Sequence, residues 1–347
     1  MSGPGERLDQ FMGRANAAYY AGRDPFADFI TAPEISQIFG ELLGAWTAVV
    51  WQLLGSPDPF VLVEAGPGRG TLMADALRLL RRVAPACHAA ARIHLIETSP
   101  RLRARQQRAL HGATAVPPCW HDTIASLPDG PMILLANEFL DALPIRQFVK
   151  RAEGWNERFV HDGRFHEYPA RLPPAHPAVS RVADAGDVLE ICQPAVAFMQ
   201  AVVARLQHQR GAALLIDYGY DAPLCGDSLQ ALRDGRPADP LRDPGTADLT
   251  AHVDFRTLAQ VASTVDVWGS VTQGYFLSAL GLEARTEQLA RAAPAQADEI
   301  RTAAARLAAP GHMGRLFRVL GLSVGLGGDM PGFAGRRDGN ATGNERI

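Results

Sequence analysis

One stretch of the sequence, Phe60–Gly70, has the residue types of a cofactor-binding turn. It begins with a short apolar run, Phe60–Val63, that is typical of a strand buried on both faces. After Glu64 there are glycines at every second position, and a helical pattern starts at Thr71. Glycine accepts backbone angles that a Cβ forbids, and it lets a ligand reach main-chain N–H groups. Strand, glycine turn and helix together predict a nucleotide-type binding loop.

The glycine spacing favours one class of cofactor over another. The dinucleotide fingerprint is G-x-G-x-x-G, whereas this chain has G-x-G-x-G with Thr71 in place of the third glycine. A carboxylate at Glu64 would repel a pyrophosphate but attract a cation, such as the sulfonium of S-adenosylmethionine (SAM). We therefore predict a SAM site formed by Glu64, Gly66, Gly68 and Gly70. A nicotinamide (NAD) cofactor of an oxidoreductase is the less favoured alternative, and a tight turn without a ligand is the other.

Acids at two further strand ends could bind the rest of a SAM molecule. Glu97 ends the predicted strand Arg92–Ile96, and a carboxylate there can accept hydrogen bonds from both ribose hydroxyls. Thr98 follows it and is a second candidate for this part of the site. Asp122 follows a weakly marked strand at 116–121 and could accept a hydrogen bond from the adenine amino group. The alternative for Glu97 is an ordinary surface glutamate at a strand end.

The segment 137–141, NEFLD, follows the clearest strand of the chain, Met132–Ala136. Parallel sheets bind ligands at the carboxyl ends of their strands, so these polar side chains are predicted to face the reacting group. The segment lacks the N/D-P-P-Y pattern of methyltransferases that act on DNA bases or glutamine amides. We predict that Glu138 and Asp141 pair with a guanidinium, and Asn137 is a further catalytic candidate. The alternative is a helix N-terminus whose acids complement the macrodipole.

An aromatic-rich loop at 24–34 precedes a predicted helix from Pro33 to Leu54. Thr31 matches an N-cap for this helix and is also a candidate contact to the cofactor. Glu34 lies on the same loop, and we predict that it closes over the cofactor from the other side. Glu34 is thus a catalytic candidate together with Asn137, Glu138 and Asp141.

The order of predicted elements indicates an α/β fold with a doubly wound, mostly parallel sheet of Rossmann-like type. Strands and helices alternate from Phe60, whereas residues 145–168 alternate apolar and polar side chains between turns, which predicts an inserted β-meander. A glycine-rich, charged tail is expected to be disordered. The expected division is an N-terminal helical lid or brace at 1–58, a SAM-binding α/β domain at 59–144 and 185–322, the meander insertion at 145–184 and the tail at 325–347.

Composition argues against several classes of function. The net charge is −3 over 347 residues and acids and bases are interspersed, so no surface for nucleic acid is predicted. No run of about 18 apolar residues predicts a membrane span, and the first residues lack the apolar core of a secretory signal. The four cysteines are far apart and the histidines lack metal-ligand spacing, so neither a disulfide framework nor a metal site is predicted. These features favour a reducing, cytoplasmic compartment.

Several segments together resemble the MidA-like family of class I SAM-dependent methyltransferases, whose mitochondrial member assists the assembly of respiratory complex I. The similar segments are 28–41, 64–70, 97–100, 136–144, 216–220 and 248–255. The resemblance implies methylation of a protein arginine, with a complex I subunit as the substrate. It also implies a mitochondrial-matrix location for the eukaryotic member. A non-catalytic assembly chaperone that keeps SAM as a structural ligand is the alternative.

Overall fold

The computed structural model of the protein describes residues 5–22 and 30–336. Within these ranges the chain forms two compact units. The meander unit comprises residues 1–31, 138–199 and 217–261, and the sheet unit comprises residues 32–137, 200–216 and 262–347. Most of the loop predicted at 24–34, including Asp28 and Phe29 of the family-like segment, lies outside the described residues.

Strands and helices alternate over much of the described chain. The strands, in chain order, are β1 (Glu6–Arg7), β2 (Phe60–Ala65), β3 (Ala91–Ile96), β4 (Cys119–His121), β5 (Met132–Asn137), β6 (Arg146–Arg151), β7 (Gly154–His161), β8 (Arg164–Ala170), β9 (Val188–Ile191), β10 (Gly211–Tyr220), β11 (Gln230–Arg233), β12 (Arg236–Ala238), β13 (Asp248–Thr250), β14 (Val253–Asp254), β15 (Asp266–Thr272) and β16 (Phe317–Val324). The α-helices are α1 (Leu8–Gly22), α2 (Ala32–Ile35), α3 (Gln37–Leu53), α4 (Thr71–Val83), α5 (Pro85–Ala90), α6 (Pro100–Ala109), α7 (Gln193–Gln209), α8 (Phe255–Val261), α9 (Gln273–Ala279), α10 (Leu282–Ala292), α11 (Ala297–Ala308) and α12 (Met313–Leu316).

The sheet unit is built on the mostly parallel sheet that the sequence predicts. Its strand order is β15-β16-β10-β5-β2-β3-β4. The neighbouring pairs from β10 to β4 are parallel, and β15 pairs antiparallel with β16 at one edge. The chain runs from β2 to β3 and β4 and then resumes at β5 on the opposite side of β2. This reversal is a topological switch point, where α/β sheets bind ligands beyond the carboxyl ends of their strands.

Helix α3 packs closely against α4 in the sheet unit because glycines line their contact. A Cβ at Gly44 would lie 2.9 Å from the Cα of Ala76, so a larger residue would push the helices apart. The prediction of one continuous helix from Pro33 to Leu54, capped by Thr31, is wrong. Ser36 is extended (φ −159°) and its hydroxyl accepts the N–H of Ile38 at 3.2 Å, so it ends α2 and caps α3.

The meander unit contains the antiparallel sheet that the alternating pattern at 145–168 predicts. Strands β6, β7 and β8 pair in sequence, and β1 joins at β7. Strand β9 pairs antiparallel with β6, so residues 188–191 lie in this sheet. This differs from the expected boundary, which assigned everything from residue 185 to the α/β domain. A second, three-stranded sheet has the order β12-β11-β13.

The expected N-terminal brace at 1–58 is divided between the two units. Helix α1 contributes Leu8, Phe11, Met12 and Ala15 to a core cluster of the meander unit. These are the residues whose helical spacing is visible in the sequence. Helix α3 belongs to the sheet unit instead. The first 58 residues therefore do not form one element.

The prediction of a disordered tail from residue 325 is wrong for residues 325–336. Leu326 and Met330 are buried, and the indole N–H of Trp46 donates to the carbonyl of Pro331 at 3.2 Å. The guanidinium of Arg336 lies 2.9 Å from the carboxylate of Asp266. Two buried apolar side chains and two polar contacts thus hold residues 325–336 in place, and residues 337–347 lie outside the described part. Among the described residues, no helix is both long and apolar enough to cross a bilayer.

Candidate active site

The glycine loop joins β2 to α4 in the sheet unit, as predicted. Gly66, Gly68 and Gly70 have φ values of +66°, +53° and +85°, a region that residues with a Cβ rarely adopt. The N–H of Gly66 donates to the carbonyl of Ile96 at 3.0 Å, and the N–H of Gly70 donates to that of Pro67 at 2.7 Å. The first bond ties the loop to β3 and the second closes the turn. Glycine is therefore required by the backbone at each of the three positions.

Glu64 is a buried acid with one unused oxygen. Its residue is 3% exposed, and Oε2 has no hydrogen-bond partner among the described residues. Burial raises the pKa of this carboxyl to about 8, and the backbone N–H of Met73 opposes that shift only in part. A buried acceptor without a donor is costly, so this oxygen is suited to a ligand that brings a donor or a positive charge. The residues present therefore fit the methionine part of SAM.

Glu97 ends β3 and is connected to the glycine loop through Gln106. Its Oε1 accepts the N–H of Ser99 at 2.8 Å, and its Oε2 accepts the amide of Gln106 at 3.2 Å. The same Gln106 nitrogen donates to the carbonyl of Gly68 at 2.8 Å. Burial is the largest cause of a raised pKa at Glu97. One fully buried amide thus sets the distance between the predicted ribose acceptor and the predicted methionine loop.

Gln106 connects two candidate cofactor contacts, and the sequence does not predict this role. Its carbonyl oxygen accepts the indole N–H of Trp120 at 2.8 Å, so both ends of the amide are engaged. The available signal was the i, i+4 spacing of Leu102 and Gln106, which are the buried residues of this helix.

The structure also locates the other predicted cofactor contacts. Thr98 is exposed beside Glu97, and Asp122 follows β4 with a side chain that is 78% exposed. The guanidinium of Arg103 lies 2.6 Å from the Asp122 carboxylate and also donates to the carbonyl of Glu97 at 2.7 Å. Both acids therefore lie at the same edge of the sheet. Thr31 is buried immediately before α2 in the chain.

Glu34 contacts the end of the glycine loop directly. The hydroxyl of Thr71 donates to its Oε1 at 2.5 Å, and the guanidinium of Arg69 lies 3.4 Å from its Oε2. Asn137, the last residue of β5, is buried and pairs in register with Ile216 of β10. These two catalytic candidates thus lie in the sheet unit, as do the cofactor candidates other than Thr31.

The segment that follows Asn137 is an ordered loop of the meander unit and not a helix N-terminus. Glu138 has a φ of +49°, which places it in the left-handed region. The next residues are turns and bends, with the N–H of Leu143 donating to the carbonyl of Leu140 at 3.2 Å. The helix-dipole interpretation of the two acids is therefore excluded by the backbone.

Asp141 and Asp217 are buried neighbours in the meander unit. Burial raises the pKa of Asp141 to about 6, and the hydroxyl of Tyr218 opposes this by donating to the carboxylate. Burial, followed by the charge of Asp141, raises the pKa of Asp217 well above its usual value. Asp217 lies in the family-like segment 216–220, but the sequence alone assigns it no role. No group of three or more histidine, cysteine or acidic residues in the described chain could hold a metal ion.

Comparison with known proteins identifies the family. A family model described as "Putative S-adenosyl-L-methionine-dependent methyltransferase" matches residues 42–271. The chain belongs to this family. The fold is accordingly that of the class I methyltransferases, the enzyme is a SAM-dependent methyltransferase, and the nicotinamide alternative is not supported.

Named relatives and a solved structure agree with this assignment. The chain is 34% identical to "Protein arginine methyltransferase NDUFAF7 homolog, mitochondrial" of Drosophila melanogaster, over 92% of this chain and 81% of the relative. It is 35% identical to the Homo sapiens protein "Protein arginine methyltransferase NDUFAF7, mitochondrial", over 82% and 71%. A "likely methyl transferase from Burkholderia thailandensis bound to S-adenosyl-homocysteine" superposes with a TM-score of 0.81 at 28% identity, covering 95% of this chain and 91% of that one.

Proposed function

We propose that this enzyme methylates an arginine side chain of a protein, and that Glu138 and Asp141 bind the acceptor guanidinium. The observation that carries the proposal is the ordered acidic loop that follows β5. It supplies one half-buried acid in a left-handed conformation and one buried acid with a raised pKa. The relatives named as protein arginine methyltransferases support the choice of acceptor.

We propose a separate set of contacts for each chemical part of SAM. Glu64 and the backbone of Gly66, Gly68 and Gly70 hold the methionine part, because the unused Glu64 oxygen can receive a cationic group. When bound, SAM supplies a methyl group made electrophilic by the sulfonium. The remaining proposed contacts are Glu97 and Thr98 to the ribose, Asp122 to the adenine, and Thr31 and Glu34 as further residues of the site.

The two acids of the loop have distinct parts in the proposed mechanism. An arginine guanidinium is protonated at all physiological pH values and its lone pairs are delocalised. A carboxylate at Glu138 would bind it and localise its charge, and alignment of this kind contributes roughly 7–11 kcal/mol to lowering a barrier. Asp141, with a pKa of about 6, is a stronger base than an ordinary aspartate. It is thus suited to accept the proton that the guanidinium loses on methylation.

We also propose an acceptor protein and a cellular compartment. By the family resemblance, the target is an arginine in the complex I subunit homologous to the mitochondrial 49-kDa chain. We place this chain in the cytoplasm, whereas the eukaryotic relatives are named as mitochondrial.

Labelling a bacterial extract with tritiated SAM and identifying the modified protein tests both the class and the identity of the acceptor. Label found only in a small molecule or nucleic acid would contradict the proposal, and no transfer at all would favour the SAM-binding chaperone.

Glu138→Gln and Asp141→Asn test the acceptor site. Each keeps the shape of the side chain and removes its charge, so the rate of labelled methyl transfer should fall by roughly 10²-fold, the scale of losing one positioned catalytic group. SAM affinity by isothermal titration should stay within a few-fold. Glu153→Gln, an exposed residue at a turn of the meander unit, is the matched control. Wild-type rates in both variants would show that the acceptor is held elsewhere.

Gly68→Val tests the cofactor loop. Gly68 has a φ of +53°, where a β-branched residue is strained, and its side chain would enter the space proposed for SAM. Titration should show loss of SAM binding with the protein still folded by circular dichroism. Unchanged affinity would refute the proposed position of the methionine part.

A further inference from the structure

The loop that carries Glu138 is held by a single carboxylate, that of Asp217. Its Oδ2 accepts three successive backbone N–H groups, from Phe139 at 3.2 Å, Leu140 at 2.9 Å and Asp141 at 3.2 Å. Its Oδ1 accepts the N–H of Tyr218 at 2.9 Å. Consecutive amides that converge on one atom form an anion-binding concavity. The shape of the loop therefore depends on the group that fills it, and Asp217 is only 1% exposed.

These bonds begin at the residue that follows Glu138. A left-handed backbone at a residue with a Cβ persists only where the surroundings hold it. The N–H of Ala251 also donates to the carbonyl of Asp141 at 3.0 Å, which fixes the far end of the loop. Asp217 and Ala251 thus fix the residues that follow Glu138, and this helps to hold its left-handed conformation.

Stability alone does not account for an acid at this position. Asp217 lies close enough to Asp141 and Glu138 for their charges to oppose its own, and it is out of contact with water. A neutral acceptor could bond the same amides without that repulsion. A buried acid that bonds a strained loop and opposes two neighbouring charges is typical of functional sites.

We propose that Asp217 is a positioning residue for methyl transfer. By bonding the three amides it holds the left-handed turn at Glu138 and so aims the Glu138 carboxylate at the acceptor guanidinium. The inference rests on the proposed function of Glu138 as the acceptor-binding acid.

Amide hydrogen exchange of the full-length protein tests the structural half of this proposal. In the wild type the amides of Phe139, Leu140 and Asp141 should be protected, and fast exchange of all three would overturn it without any variant. In Asp217→Ala these amides should exchange at least 100-fold faster. The amide of Phe148 in the paired strand β6 should be unchanged, which reports that the unit is still folded.

A double-mutant cycle tests the catalytic half. The rates of tritiated methyl transfer from saturating SAM into a bacterial protein extract are compared for Asp217→Ala, which removes the acceptor of the three amides, for Glu138→Gln and for the double variant. Asp217→Ala should lower the rate at least tenfold with SAM affinity within a few-fold. If Asp217 acts through Glu138, the double variant should be no more than threefold slower than Glu138→Gln. If the rate of the double variant falls by the product of the two single losses, Asp217 has a general structural role and the proposal is overturned.

The two possible failures are distinguishable. Full activity of Asp217→Ala with an impaired Glu138→Gln removes only this inference, and so does full activity of Glu138→Gln with an impaired Asp141→Asn. Full activity of both Glu138→Gln and Asp141→Asn removes the proposed function as well, because no acceptor-binding acid is then left for Asp217 to position.

Discussion

Replacing Glu64 by glutamine tests whether this buried carboxylate serves to receive a cation. Burial raises the pKa of Glu64 from 4.5 to about 8, so the folded protein without ligand binds this proton more tightly than the unfolded chain does. The stability that the protonated group provides is therefore complete below about pH 4.5 and is lost as the pH rises toward 8. A cation bound beside Oε2 would reverse this preference and favour the ionised form.

The size of the effect follows from the pKa shift. At about 1.36 kcal/mol per pH unit, the whole shift corresponds to at most about 5 kcal/mol. Between pH 5.5 and 7.5 the ligand-free wild type should lose up to about 3 kcal/mol of its free energy of unfolding through this group. Glutamine at position 64 cannot ionise. The free energy of unfolding of Glu64→Gln should therefore fall by up to about 3 kcal/mol less than that of the wild type over the same pH range.

Urea unfolding and isothermal titration measure the two sides of this linkage. SAM affinity of the wild type should rise by up to about tenfold per pH unit from pH 5.5 to 7.5, because binding then requires loss of the Glu64 proton. Glu64→Gln should bind SAM more weakly at pH 7.5 and show no such rise. Glu299→Gln, on the exposed side of α11, is the control. Identical pH dependence of SAM affinity in the wild type and Glu64→Gln would refute the assignment of Glu64 to the cofactor.

Two further predictions concern residues found only in the structure. Gln106→Ala removes the amide between Gly68 and Glu97, so SAM affinity by titration should fall about tenfold, the scale of one or two hydrogen bonds; unchanged affinity would mean that Gln106 only fills the core. Tyr218→Phe removes the hydroxyl that lowers the pKa of Asp141, so that pKa should rise above 6 and the acid limb of the pH–rate profile should move up by about one unit. An unmoved limb would show that Asp141 does not titrate in the reaction.

Features that depend on neighbours in sequence could be predicted, and features that depend on distant partners could not. The strand, the glycine turn and the helix start at Thr71 are local, so residue types and spacing were sufficient. Gln106 takes its role from Gly68, 38 residues away, and Asp217 takes its role from a loop more than 70 residues away. No period or motif in the sequence pairs Gln106 with Gly68 or Asp217 with the loop. The break at Ser36 was missed for the opposite reason, because a continuous apolar pattern hid a local cap.

Three buried acids, Glu64, Asp141 and Asp217, have raised pKa values but different hydrogen-bond partners, and the partners indicate what each acid does. Asp217 has both oxygens engaged by backbone N–H groups, so neither oxygen is open to a ligand. Glu64 has one oxygen without a donor among the described residues, so this oxygen can bind a donor or a cation of a ligand. Asp141 is held by a tyrosine hydroxyl, a donor that can keep its bond as the carboxyl gains or loses a proton. Loop support, cofactor binding and proton acceptance are therefore separable properties here, and the Asp217, Glu64 and Tyr218 variants should each change one of them while leaving the other two measurable.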